Sequence, residues 1–126
     1  MPITRENVPP EWPGSAPEYA VYLALKQLGY IEGEDFIYQS PQAGGRQEYG
    51  GAVLDFTMPD LNMAINVQSR YYHSGFAERT HDAYVRAMMA SWGMNVIYID
   101  EDMAMQNARY YVQEAIAGRD HSTGRG

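Results

Sequence analysis

Three polar residues stand inside runs that are otherwise apolar. Asp55 interrupts the β-rich run of residues 53–57, and Asn66 and Gln68 lie in the run of residues 63–68. In the second run, apolar Met63, Ile65 and Val67 alternate with small or polar Ala64, Asn66 and Gln68, the period of a strand with two unlike faces. Residues 58–62, including Pro59, Asp60 and Asn62, supply turn chemistry between them. The spacing predicts two adjacent strands joined by a tight turn, with a carboxylate on the first facing two amides on the second. Such a cluster is either a site or the remnant of one. Its plainer reading is a polar pair hydrogen-bonded across a sheet.

Other residues could join this cluster. Glu18 closes Ser15-Ala16-Pro17-Glu18, a capping box with proline at the start of a helix. It either caps that helix or reaches over the sheet toward Asp55. His73 and His81 have no partners at metal-ligand spacing and read as loop or surface histidines. Asp82 and Arg86 are four apart on a predicted helix; as an exposed pair they contribute ~0.3–0.5 kcal/mol. Trp12 and Val8 are the apolar anchors of a proline-rich stretch, residues 1–14, which reads as an extended arm that binds by these two residues.

The elements that must position these residues follow in order. A helix runs from residue 15 to about 28, with Gly29 as its stop and Glu18, Val21, Leu25 and Leu28 on one face. Residues 35–40 read as a first strand. Residues 41–52 read as a hairpin connection or flap; no Lys-Ser or Lys-Thr follows their glycines, so a phosphate-cradling loop is not supported. After the two central strands, a helix spans about 78–92 and ends at Gly93. Residues 94–99 form a continuous apolar run suited to a buried strand. Asp100 or Asp102 then caps a last helix ending near residue 117. The order α-β-β-β-α-β-α predicts an α/β (α+β) fold: a mixed sheet with helices on both faces, the fourth strand parallel to a neighbour. Residues 15–118 form a single domain, and residues 119–126 a polar tail.

Composition sets limits. A chain of 126 residues suits one domain with its own core. There is no cysteine, hence no disulfide framework or thiolate chemistry. No apolar run approaches the roughly 20 residues that span a bilayer, and the first residues lack the pattern of a signal peptide, so the expectation is a cytoplasmic or virion protein, not secreted and without a membrane partner. The formal net charge is −7, with a single lysine and scattered arginines, which disfavours nucleic acid as a partner. Eleven tyrosines and eight methionines exceed the needs of so small a core and favour contact surfaces.

In the order and spacing of its motifs the chain resembles the PD-(D/E)xK nuclease superfamily, particularly small members similar to very-short-patch repair endonucleases. The matching residues are Glu18, Leu54-Asp55-Phe56, Ile65-Asn66-Val67-Gln68, His73, His81-Asp82, Arg86 and Gly93-Met94-Asn95-Val96, and the likeness covers roughly residues 15–117. The resemblance implies a nuclease-like core and hydrolysis of a phosphodiester. Two strand carboxylates would hold a Mg²⁺ and a lysine or substitute would orient water. It assigns the first carboxylate to Asp55, the second to Asn66 and the lysine position to Gln68, with Glu18 and His73 nearby and Asp82 and Arg86 framing the cleft. Asn66 departs from the pattern, because an amide brings no negative charge. The expectation is a catalytically degenerate member with no cofactor. It would act as a structural or interaction component of an assembly or homo-oligomer, most concretely a phage virion or DNA-packaging protein. The alternative is a Mg²⁺-dependent DNA endonuclease using Asp55, Gln68 and Glu18, with His73 or His81 near the water. A non-catalytic nucleic-acid-binding module is a third reading, disfavoured by charge.

Overall fold

A computed structural model of the chain describes residues 4–38, 48–49, 52–69 and 76–122. Ser15 opens helix α1 (Ala16–Gln27): its hydroxyl accepts the Glu18 N–H, and the Glu18 carboxylate accepts the Ser15 N–H at 2.9 Å. Satisfying two otherwise unpaired donors fixes where the helix begins. It ends where Gly29 takes a φ of 97° and Tyr30 N–H closes back on the Leu25 carbonyl at 3.0 Å, a left-handed turn that glycine adopts without strain. Val21 and Leu25 are fully buried, as the helical spacing predicts.

The first strand begins two residues later than its sequence suggests, and positions 39 and 40 of the expected strand lie outside the described residues. β1 is Ile37–Tyr38, because Asp35 belongs to the preceding turn: its carboxylate accepts the Ile31 N–H at 2.8 Å. β2 (Glu48–Tyr49) and β3 (Ala52–Val53) pair antiparallel as a separate two-stranded unit, so residues 41–52 do include a hairpin arm. The run of residues 53–57 is not one strand. It breaks at Asp55, and β4 is Phe56–Met58, including a Met58 that the sequence assigns to the turn. The break is visible in packing: Leu54 and Phe56, two residues apart, are buried on opposite faces of the sheet. Pro59–Leu61 forms a short 3₁₀ turn, and Asn62, at φ 50° and ψ 47°, is the left-handed residue that starts β5 (Met63–Gln68).

α2 (Phe76–Ser91), β6 (Asn95–Asp100) and α3 (Glu101–Ile116) complete the chain. The main sheet has the order β1-β4-β5-β6. β1, β4 and β5 run antiparallel, and β6 runs parallel to β5 with Asn66 opposite Tyr98 and Gln68 opposite Asp100. The architecture is therefore α+β with a four-stranded mixed sheet, and the crossover through α2 is what permits the parallel pair. α1 and α3 cover one face over Phe36, Phe56, Met58, Met63, Ile65, Ile97 and Ile99. α2 covers the other through Val85 and Met89 against Ala64, Val96 and Tyr98.

The first and last described segments are tied to this body. The arm is not extended throughout: Arg5–Asn7 is a 3₁₀ turn. Trp12 stacks on Tyr38 at 4.7 Å between ring centres, lies 4.8 Å from Tyr22 and 5.2 Å from Tyr19, and donates its indole N–H to the Ser15 carbonyl. The approach requires glycine at position 14, where a Cβ would overlap the Tyr38 hydroxyl and meet Glu18 Oε1 at 3.0 Å. At the other end, Asp120 and Ser122 bond to the α2 side of the domain.

Candidate functional site

The bend at Asp55 brings its main chain and side chain against the end of β5. Asp55 N–H donates to Asn66 Oδ1 at 2.8 Å, and Val67 N–H donates to Asp55 Oδ2 at 2.9 Å. Each side chain thus substitutes for a ladder bond that the break in β4 removes. The carboxylate and the amide that the sequence singles out do meet: the Asn66 amide oxygen binds the Asp55 backbone, and the Asp55 carboxylate binds the backbone of Val67, the next residue along.

Glu18 joins them from α1. It performs its capping role, and its charge also acts on Asp55. Burial chiefly, and then the Glu18 charge, push the Asp55 carboxyl up to about 7, against a smaller downward pull from the Val67 N–H. The two functions weighed for Glu18 are therefore compatible: one carboxylate oxygen caps the helix while its charge faces the sheet.

Asn66 and Gln68 point to the α2 face, as their alternation with Ile65 and Val67 requires. The Tyr98 hydroxyl is hydrogen-bonded to both the Asn66 amide and the Asp82 carboxylate, and burial followed by the Asp82 charge raises its pKa. Gln68 Nε2 donates to Asp100 Oδ1 at 2.8 Å, and both residues are buried. Asp100 occupies the N-cap of α3 without a side-chain cap bond, its carboxylate being engaged by Gln68. Asp102, the other predicted cap, accepts the adjacent Met103 N–H at 3.0 Å.

Asp82 and Arg86 are not the exposed helical pair expected. Asp82 is 4% exposed, and the Arg86 guanidinium lies over the Tyr98 ring at 4.3 Å and 3.4 Å from Asp120 Oδ2. The helix face carrying them is turned to the sheet, toward Tyr98 and Asp120. His81 is exposed on α2, and His73 lies outside the described residues. Trp12 and Val8 belong to the arm; Trp12 packs on the α1 side of the sheet, away from Asn66 and Gln68, and Val8 is half-buried. Among the described residues there is no group of three or more His, Cys, Asp or Glu side chains placed to hold a metal ion.

Four members of the network were not singled out by sequence. Tyr98 sits in an apolar run, where the only cue is that a buried phenol needs a partner. Asp100 reads as a cap. Asp120 and Ser122 lie in a segment of loop composition with no periodicity to place them.

Together the groups form a polar seam from Glu18 and Asp55 through Asn66 and Tyr98 to Asp82, Arg86 and Asp120. Mg²⁺ favours charged oxygen ligands in octahedral array. The residues present do not fit that demand. Asn66 Oδ1 already accepts a backbone N–H, as does one oxygen each of Asp55 and Glu18, and Asp55 is half protonated near neutral pH. No protein-family model, curated protein or solved structure matches the chain.

Proposed function

We propose that this chain is a catalytically degenerate protein of nuclease-like fold that serves as a structural or interaction component of a larger assembly, a phage virion or DNA-packaging role being its most concrete form. The observation that carries this reading is the pair of bonds by which Asn66 Oδ1 accepts the Asp55 N–H and Asp55 Oδ2 accepts the Val67 N–H. Groups that the resemblance would aim at a metal instead complete the backbone hydrogen bonding of a broken strand. Gln68, at the lysine position, is likewise held by Asp100. The interaction part is supported by large apolar side chains left on the surface: Ile31, Tyr84, Trp92 and Tyr110 are each exposed. The partners proposed are protein subunits, identical or different.

One observation favours the alternative of a Mg²⁺-dependent DNA endonuclease: Glu18 is close enough for its charge to raise the Asp55 pKa, so two carboxylates do converge. A titration decides between them. The wild-type chain should show no saturable Mg²⁺ or Mn²⁺ binding at millimolar levels by calorimetry and no nicking of plasmid DNA. Asn66→Glu should raise metal affinity without producing cleavage, since Gln68 brings no positive charge. Metal-dependent nicking by wild type that vanishes in Asp55→Ala would overturn the degenerate reading.

A further inference from the structure

β6 stands at the end of the main sheet, and among the described residues no strand lies on its outer side. Asn95 N–H bonds inward to the Asn62 carbonyl at 2.9 Å, so alternate residues Val96 and Tyr98 turn their backbone groups outward. The outward Tyr98 N–H is taken by Asp120 Oδ2 at 3.2 Å. Asp120 is in turn held by Arg86 and by Ser122, whose N–H donates to Oδ1 at 2.9 Å and whose hydroxyl bonds the same oxygen. The intervening residues bind the opposite way: Arg119 reaches Glu114 on α3 through two bonds of 2.6 and 2.9 Å, and His121 Nε2 lies 2.9 Å from Glu114 Oε1. Arg119, then His121, hold the Glu114 carboxyl down to about 2. Residues 119–122 therefore form a strap that alternates its side chains between α3 and the rim of β6.

The strap covers an unusual edge. Five of the six β6 residues are buried; by the same alternation its outward-facing residues are Val96, Tyr98 and, at the end where α3 begins, Asp100, so the middle of the edge is uncharged. A long apolar edge strand is a template for another strand, and folds block such edges with loops or charges.

We infer that residues 119–122 act as a guard on β6, and that the partner which the released edge takes is a second copy of this chain. Antiparallel pairing of β6 with itself about a twofold axis sets Val96 of one copy opposite Tyr98 of the other and uses the outward N–H and C=O groups of both. The contact is isologous and closes as a dimer. In a chain of net charge −7, a joint between uncharged residues is also the one least opposed by self-repulsion. The inference rests on the interaction part of the proposed function and not on the state of the Asp55 seam, so a nuclease result and a dimer result are separate.

The test pairs amide hydrogen exchange with mass by light scattering across a concentration series. The wild-type chain should be monomeric with a protected Tyr98 amide. In Asp120→Ala the Tyr98 amide should exchange on the order of ten-fold faster when dilute. On concentration the mass should double, with Val96 and Tyr98 amides becoming protected together. Glu114→Gln, which loosens the strap from outside the sheet, should show the same shift more weakly and decides the matter if Asp120→Ala does not fold. A bared Tyr98 amide with unchanged mass, an unaltered Tyr98 amide in both variants, or a wild-type chain already dimeric would each overturn the inference.

Discussion

On the face covered by α1 and α3, Leu25, Phe36, Phe56, Met58 and Ile65 bury one another completely, and the aromatic rings continue outward through Tyr38 and Tyr22 to Trp12. On the face covered by α2, the same strands present Ala64, Asn66 and Gln68, and the helix answers with Asp82 and Arg86 as well as Val85 and Met89. The first face is held by area removed from water, a non-directional force that tolerates varied side chains of suitable volume. The second is held by directed bonds, each of which leaves an uncompensated buried group when its partner is lost. One sheet thus carries a stable face and a demanding one, and Asn66, Gln68, Asp82 and Arg86, four of the residues that resemble a site, lie on the second.

Substitutions should separate the two. The largest effect is expected at Phe56, fully buried with its ring 4.9 Å from Tyr38. Phe56→Ala should cost about 3–5 kcal/mol in denaturant melts; a loss below about 1 kcal/mol would mean that the apolar face does not dominate. Next comes Asn66→Ala, which removes the acceptor of the Asp55 N–H and a partner of Tyr98 and should cost about 1–3 kcal/mol, despite shortening the side chain by only a few atoms. A near-neutral Asn66→Ala would show that the seam is not structural and would return Asn66 to the list of functional residues.

The smallest and most specific effect is in pH. The folded Asp55 carboxyl sits at about 7, above the ordinary value of about 3.9, so between these values the folded chain binds more protons than the unfolded one. Stability should therefore fall as pH rises from about 4 to 7, by on the order of 1–2 kcal/mol after allowing for partial solvent access. Glu114 acts in the opposite direction but only as pH falls through its own lower range, outside this window. Thermal melts should place the wild-type midpoint higher at pH 5 than at pH 7.5, and Asp55→Asn should flatten the difference. A midpoint that rises with pH through this range would mean that Asp55 is ion-paired in solution, not merely buried beside Glu18.

Much of this was legible in sequence where a local cause acts. The capping box, Gly29 and the alternation of Met63–Gln68 each set an element by chemistry within a few residues, and those bounds hold to within about two positions. Legibility failed where groups outside the strand itself, near or far in sequence, take its atoms. Asp35 reads as the start of a strand until its carboxylate is seen to accept the Ile31 N–H. Residues 53–57 read as one strand because their β propensity is continuous, yet the chain bends at Asp55, where the N–H goes to Asn66 Oδ1 instead of a strand ladder. Asp82 and Arg86 read as a solvated pair because four-residue spacing says nothing about which way a helix is rolled.

The sequence by itself determined the alternation of α and β elements, the mixed α+β class, and the identity of Asp55, Asn66 and Gln68 as misfits in apolar strands. These follow from periodicity and capping, which are short-range. Only the tertiary structure decided what the misfits do. Whether Asn66 faces solvent, a ligand or the Asp55 N–H depends on register between strands 11 residues apart in sequence, and the bond to that N–H is a consequence of the strand break itself. The contact of Asp120 with Tyr98 spans 22 residues and joins a loop to a sheet edge. No local pattern encodes it, because both partners are satisfied only when the whole sheet and the two helices beside it are in place.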